Sequence, residues 1–357
     1  MLQSFIHQVR QNCRLASGVQ AGYFSLCGLL LRLRLLYKWE QGLLPWQEPE
    51  PAAVLDWIAQ QESAWDSLDG ESCSSLPLNG LVLDPFEVEA VNLHLNPRGL
   101  AYGAGFTRGL APTFFLGELA EVRREGEITV LVLGLELARD LDGTPALCQG
   151  TLVYARRQAL AYYLWDRLAD PSQQNKALVK TALKSYRLPL ADLLQAPADY
   201  QEEFNQLVWA ELESAIHHEM GEAREVSLQT AFAPILELFP QTRIELWVRA
   251  LKDALAEVNE WGRLQYIIKA RQLPALALML AWQPGLYPLL LPELEPAFRD
   301  LLTTRDWQVV DQARLQALKR LRRVAGEVSE LLESLEDRPL EETREMIETR
   351  YLHPLGL

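Results

Sequence analysis

A chain of 357 residues with 49% hydrophobic and 23% charged residues can bury a real interior, which excludes wholesale disorder, and its length favours two domains or one with a large appendage. Its 34 Lys and Arg face 48 Asp and Glu, a formal net charge of -14 that repels polyphosphate and anionic lipid and argues against a nucleic-acid partner. Cys13, Cys27, Cys73 and Cys148 show neither a CxxC pair nor close metal-ligand spacing, which suits reduced thiols rather than a disulfide frame.

Helices are expected over residues 4–15, 21–41 and 52–68. Gly42 is placed to close the second, and Val54, Leu55, Ile58 and Trp65 recur at helical spacing in the third. The apolar stretch 23–31 follows Arg10 and Arg14, as in a secretion signal. Gln20 and two glycines dilute it, Arg32 and Arg34 end it, and no small-x-small cleavage pattern follows. No segment reaches the roughly 18 uninterrupted apolar residues of a membrane span. The expectation is a soluble, cytoplasmic protein with no membrane partner. The basic stripe Arg32, Arg34 and Lys38, beside Tyr37 and Trp39, holds too few charges for nucleic acid and is expected to be solvated or paired within the chain.

Residues 76–155 change character. The runs 78–83 and 88–95, bounded by Asn79, Asp84, Pro85, Asn96 and Pro97, have the pattern of short strands between turns. Residues 114–133 suggest a hairpin turning at Glu125-Gly126, and 149–154 suggest a third strand that completes a small antiparallel sheet. The glycine-rich stretch RGLAYGAGFTRG, Arg98 to Gly109, could use Arg108 to meet an anion. It lacks the Lys-Ser/Thr of a phosphate loop and the spacing of a dinucleotide fingerprint, so it is expected to be a loop between strands.

Everything after residue 155 has helical periodicity, with helices expected over 156–169, 173–186, 200–225, 227–238, 242–260 and 264–271. Five prolines chop the apolar segment Leu273 to Pro296 into short pieces that are either interior or a docking surface. In the stretch 306–336, Ala317, Leu321, Val324, Val328, Leu331 and Leu335 form a heptad seam, short enough to suit an intramolecular hairpin with 341–352. The expected fold class is mainly α, a multi-helix bundle with a small antiparallel β insertion in the N-terminal half. Its expected divisions are 1–75, 76–155 and 156–357.

The chemistry-bearing pattern lies in YQEEFNQLVWAELESAIHHEMGE, residues 200–222. At about 100° per residue, Phe204, Leu207, Val208 and Ala215 define an apolar stripe, and Glu211, His218 and Glu222 fall along the same face. Glu219 sits at its edge, while Glu213 and His217 point away. Ionisable groups on a core-facing stripe are costly unless paired, bridged to a neighbouring helix or bound to a metal. Three readings follow: a salt-bridge network with Arg224, Arg243 or Lys252; a site for iron, manganese or zinc on Glu211, His218 and Glu222; or an acid/base pair without metal. A di-metal bundle would need a second Glu-x-x-His helix, and His7, His94 and His353 do not supply it. On 242–260 the apolar face Ile244, Trp247, Val248, Leu251, Leu255 and Val258 turns Glu245 and Asp253 away. Glu237 and Glu257 are the other acidic candidates.

No Gly-x-Ser-x-Gly occurs, and no histidine has a reason to approach Cys148, so no complete catalytic set is present. The leading expectation is therefore a helical scaffold or assembly factor with a protein partner, using its ten tryptophans and the segment Leu273 to Pro296 for contact. The alternative is a metal-binding helical protein, redox or hydrolytic.

Overall fold

The computed structural model describes residues 2–68, 70–171, 177–283, 285–333 and 339–357, the side chain of Arg108 excepted. Leu335 of the expected heptad seam lies outside the described residues. No helix among the described residues is long and apolar enough to cross a membrane. The chain forms two compact units, residues 1–171 with 194–212, and residues 172–193 with 213–357.

The first unit opens with helices α1 (Leu2–Ala21), α2 (Leu26–Glu40) and α3 (Pro51–Leu68). A two-stranded hairpin, β1 (Leu76–Leu78) and β2 (Leu81–Leu83), leads to α4 (Val88–Leu95). Then come β3 (Leu100–Phe106), β4 (Pro112–Glu125), β5 (Ile128–Arg139), β6 (Ala146–Gln149), β7 (Leu152–Arg156) and α5 (Arg157–Ala169). The five strands pair in the order β3-β4-β5-β7-β6, and β7 runs parallel to β5 while the other pairs are antiparallel.

A helical bundle with a minor insertion is therefore the wrong description. The protein is about 64% helical, but its first half is organised on a curled, mixed, half-barrel sheet beside a separate two-stranded one. Sheet pairing is long-range, and three features concealed it. The expected 114–133 hairpin extends into strands of 14 and 12 residues, with register shifts around Gly117 and Leu119 that curl the pair. The glycine-rich stretch is strand β3, where a Cβ on Gly103 would stand 2.0 Å from the Phe115 ring, so glycine there makes room for an aromatic. The run 88–95 is helical, because Asn92 turns inward to donate to the Tyr102 carbonyl and accept from the Tyr102 amide, a bond pattern that docks α4 on β3. Helix α1 covers the sheet with Phe5, Val9, Cys13 and Ala16.

Lys38 and Arg34 of the basic stripe are paired within the chain. Lys38 is fully buried and donates to the Pro45 carbonyl and Glu48, while Arg34 pairs with Glu48 and Asp166.

The second unit contains α6 (Ala177–Ser185), the start of α7 (Leu190–Gln195) and the C-terminal half of α8 (Gln201–Arg224). After these come α9 (Phe232–Leu238), α10 (Arg243–Val258), α11 (Arg263–Ala270), α12 (Leu273–Ala281) and α13 (Tyr287–Leu290). The chain closes with α14 (Leu294–Thr304), α15 (Gln308–Glu333) and α16 (Leu340–Ile347). Residues 275–281 are buried throughout, as are Tyr287, Leu290, Leu291 and Leu294, so this part of the proline-broken segment builds interior, while Leu289 is exposed. Tyr351 donates to Glu327 and Arg350 pairs with it, which brings the C-terminal segment back onto α15.

The close crossing of α8 with the end of α10 depends on two glycines. A Cβ on Gly221 would lie 2.2 Å from the Ala256 carbonyl oxygen, and one on Gly262 would lie 2.0 Å from the same atom. Asn259, buried at 1% exposure, donates to the Gly221 carbonyl at 2.8 Å, and Arg314 donates to the Val258 carbonyl at 3.0 Å. Backbone meets backbone here, and nothing at this contact can rotate aside. Gly221→Ala should thus lower stability by about 1–3 kcal/mol. Intrinsic helix preference alone would raise it by about 1 kcal/mol. The sign of the change in a denaturant melt separates the two, and a stabilised variant would contradict the crossing.

Candidate functional site

Helix α8 exposes a continuous buried face through Leu212, Ile216, Glu219 and Met220, one step around from the face inferred from its apolar residues. That rotation makes Glu219 central, at 9% exposure, and leaves His218 and Glu222 partly accessible. Glu211 falls in the first unit, so of the predicted line only His218 and Glu222 belong to the second unit's site. His217 points away and stacks on Tyr266 at 4.3 Å.

The opposing wall comes from α10. Its apolar face behaves as expected, with Ile244, Trp247, Val248, Leu251, Leu255 and Val258 buried. Near the end the helix is buried on its other side too, including Ala256 and Glu257 at 2% exposure, because that side meets α8 at Gly221. Lys252, Asp253 and Glu257 are therefore delivered to the His218–Glu222 edge. A ring nitrogen of His218 and a carboxylate oxygen from each of Glu222 and Asp253 all lie within 4.8 Å of one another. Donors around an ion with bonds near 2.1 Å stand about 3 Å apart, so the three would have to draw together around one.

Around those three sit the groups that orient them. His218 Nδ1 is 3.1 Å from Glu257 Oε1, and Arg263 Nη2 is 3.2 Å from the same oxygen. With Nδ1 facing a carboxylate, Nε2 is the nitrogen left for a ligand, the arrangement common to metal-bound histidines. Glu257 Oε2 is buried and makes no hydrogen bond among the described residues. Lys252 forms an ion pair with Glu222 and lies 4.9 Å from the Phe232 ring centre. This pair belongs to the salt-bridge network reading and competes with any cation for Glu222.

The electrostatics are those of an under-neutralised cluster. Four carboxylates, Glu219, Glu222, Asp253 and Glu257, interact with two fixed cations, Lys252 and Arg263. Burial alone would lower the His218 pKa, but the Glu257 carboxylate outweighs it and raises the imidazole to about 9. Burial raises Glu219 to about 7 against the opposing charge of His218, and burial also raises Asp253. For Glu257 burial pushes upward too, yet Arg263 and His218 outweigh it and hold the carboxyl below its ordinary range. The Tyr287 hydroxyl, buried among these charges, is pushed well up by burial and then by Glu257 and Asp253.

From the sequence, Glu257 is one of two remaining acidic candidates, Asp253 is expected to turn away from the apolar face, and Arg263 is not singled out. The signal that could have found them is the pair of glycines at 221 and 262, which let two helices touch so closely that polar groups on both must meet.

A histidine raised from 6.5 to about 9 stabilises the folded state fully below pH 6.5 and loses that contribution as pH rises through about 9, up to about 3 kcal/mol. Glu219, raised from 4.5 to about 7, loses its contribution earlier in the same direction. Metal-free protein should therefore exceed His218→Gln in melting temperature at pH 6 and converge with it by pH 9.5. A difference independent of pH would contradict the His218–Glu257 pairing.

No curated protein and no solved structure matches the chain. Residues 4–156 match the N-terminal domain, and residues 161–350 the C-terminal domain, of a family of unknown function, DUF6866. The protein belongs to that family.

Proposed function

We propose that the second unit binds one divalent cation of the iron, manganese or zinc class through His218, Glu222 and Asp253, with Glu257 fixing the imidazole from behind. The observation that carries this reading is the convergence of one ring nitrogen and two carboxylate oxygens within 4.8 Å, from two helices locked together next to the donors. The unpartnered, buried Glu257 oxygen and the excess of carboxylates over cations support it further. With a neutral imidazole the cluster is two negative charges in excess, which either two protons or one dication offset. Oxygen-rich donors with a single imidazole suit manganese and ferrous iron, with zinc as a competitor. Three protein donors, all partly accessible, leave coordination positions for water, as in catalytic rather than closed structural metal sites.

The scaffold reading leaned on the segment Leu273 to Pro296, of which residues 275–281 are interior while Leu289 is 41% exposed. Of the ten tryptophans, Trp209 and Trp261 are exposed.

Titration calorimetry with Mn2+, Fe2+ and Zn2+ should give one ion per chain, lost in His218→Ala and Asp253→Asn and retained in the exposed control Glu295→Gln. Glu257→Gln should weaken binding about tenfold to a hundredfold, the usual effect of removing a carboxylate behind a ligand histidine. Affinity should rise by up to about tenfold per pH unit between 7 and 9, since the ion displaces a proton from His218. Absence of stoichiometric binding of all three metals would remove the reading. The salt-bridge network would then account for these residues.

A further inference from the structure

In the first unit, a cavity of about 220 Å³ opens among α1, α2, α3 and β5. Its inner wall carries Arg139, whose side chain is 4% exposed. Burying a guanidinium requires that its donors be satisfied, and here they are not. Arg139 Nη1 reaches Glu136 Oε2 only at 3.4 Å, and Nε makes no hydrogen bond among the described residues. The other oxygen of that carboxylate, Oε1, accepts from Arg156 Nε at 2.5 Å. Asp140 next in sequence is also committed elsewhere, accepting from Gln20, Thr113 and the Phe114 amide. Arg14 at the same cavity is half exposed and stands 3.9 Å from Glu40, so the cavity has cationic groups at both depths.

The remaining walls mix the apolar Leu36, Trp39, Trp57 and Leu135 with polar groups that include Glu40 and Gln158. The Trp57 indole nitrogen donates to Glu40 at 2.7 Å and that of Trp39 donates to the Glu136 carbonyl at 3.3 Å, so both rings present carbon to the cavity. A buried, under-satisfied guanidinium that lines one cavity with two indoles selects a planar anion, because the guanidinium fork matches a carboxylate and indole faces match an aromatic ring. We propose that this cavity binds a small aromatic carboxylate, its carboxylate on Arg139 and its ring against Trp39 and Trp57. The site is separate from the cation centre and does not depend on it.

Calorimetric titration of the full chain with naphthoate, naphthalenemethanol and phenyl phosphate tests this assignment. Naphthoate should bind at least about tenfold more tightly than the neutral alcohol and more tightly than the phosphate ester. Arg139→Gln should abolish that preference. Where circular dichroism shows that Arg139→Gln fails to fold, Gln61→Trp decides, since it fills the mouth from α3 without touching the buried ion pairs. Binding blocked by Gln61→Trp supports the assignment. Naphthoate affinity unchanged by Gln61→Trp, equal affinity for the neutral alcohol, a preference for phenyl phosphate, or no naphthoate binding up to its solubility limit would each overturn it.

Discussion

The second unit is organised by one contact, the approach of α8 to the end of α10 at Gly221, Ala256 and Gly262. The absence of two side chains lets backbones touch, and the Asn259 and Arg314 hydrogen bonds hold the touching carbonyls in place. Two helices this close cannot keep a solvent layer between their facing side chains. Whatever stands beside the glycines must pair across the gap, and what stands there is His218, Glu219 and Glu222 on one side and Lys252, Asp253 and Glu257 on the other. The electrostatic character of the site thus follows from a steric feature of the backbone.

That crossing also explains why protonation is unusual there. Removing water raises the cost of every charge in the cluster, and with carboxylates outnumbering cations the least costly response is to retain protons on His218 and Glu219. A dication would serve the same purpose with better geometry. The first unit solves a comparable problem differently. Arg156, Glu136 and Arg139 are buried together, and each guanidinium keeps one nitrogen without a hydrogen bond among the described residues, with Arg139 lining a cavity.

Half of the candidate site was legible in the sequence. His218 and Glu222 stand out because ionisable residues at helical spacing on an otherwise apolar face demand a partner. Asp253 and Glu257 do not, because α10 has a clean apolar face of its own, and a single-helix pattern cannot show that a second face is buried by a neighbour. Glu211 fits the same periodicity as His218 but belongs to the other unit, a division no helical projection contains. In the first unit, the hairpin from β4 to β5 was visible from alternation around Gly126. Strand β3 was hidden by its glycines, α4 by its short length and β-branched residues, and the parallel β5–β7 pairing by its long range.

The central claim is that these side chains converge because they hold a cation. An anomalous difference map from a crystal grown with Mn2+ tests it most directly. A peak within bonding distance of His218 Nε2, Glu222 and Asp253, with Lys252 displaced from Glu222, is the expected result. A map with no peak there, and the Lys252–Glu222 pair intact at saturating metal, would contradict it.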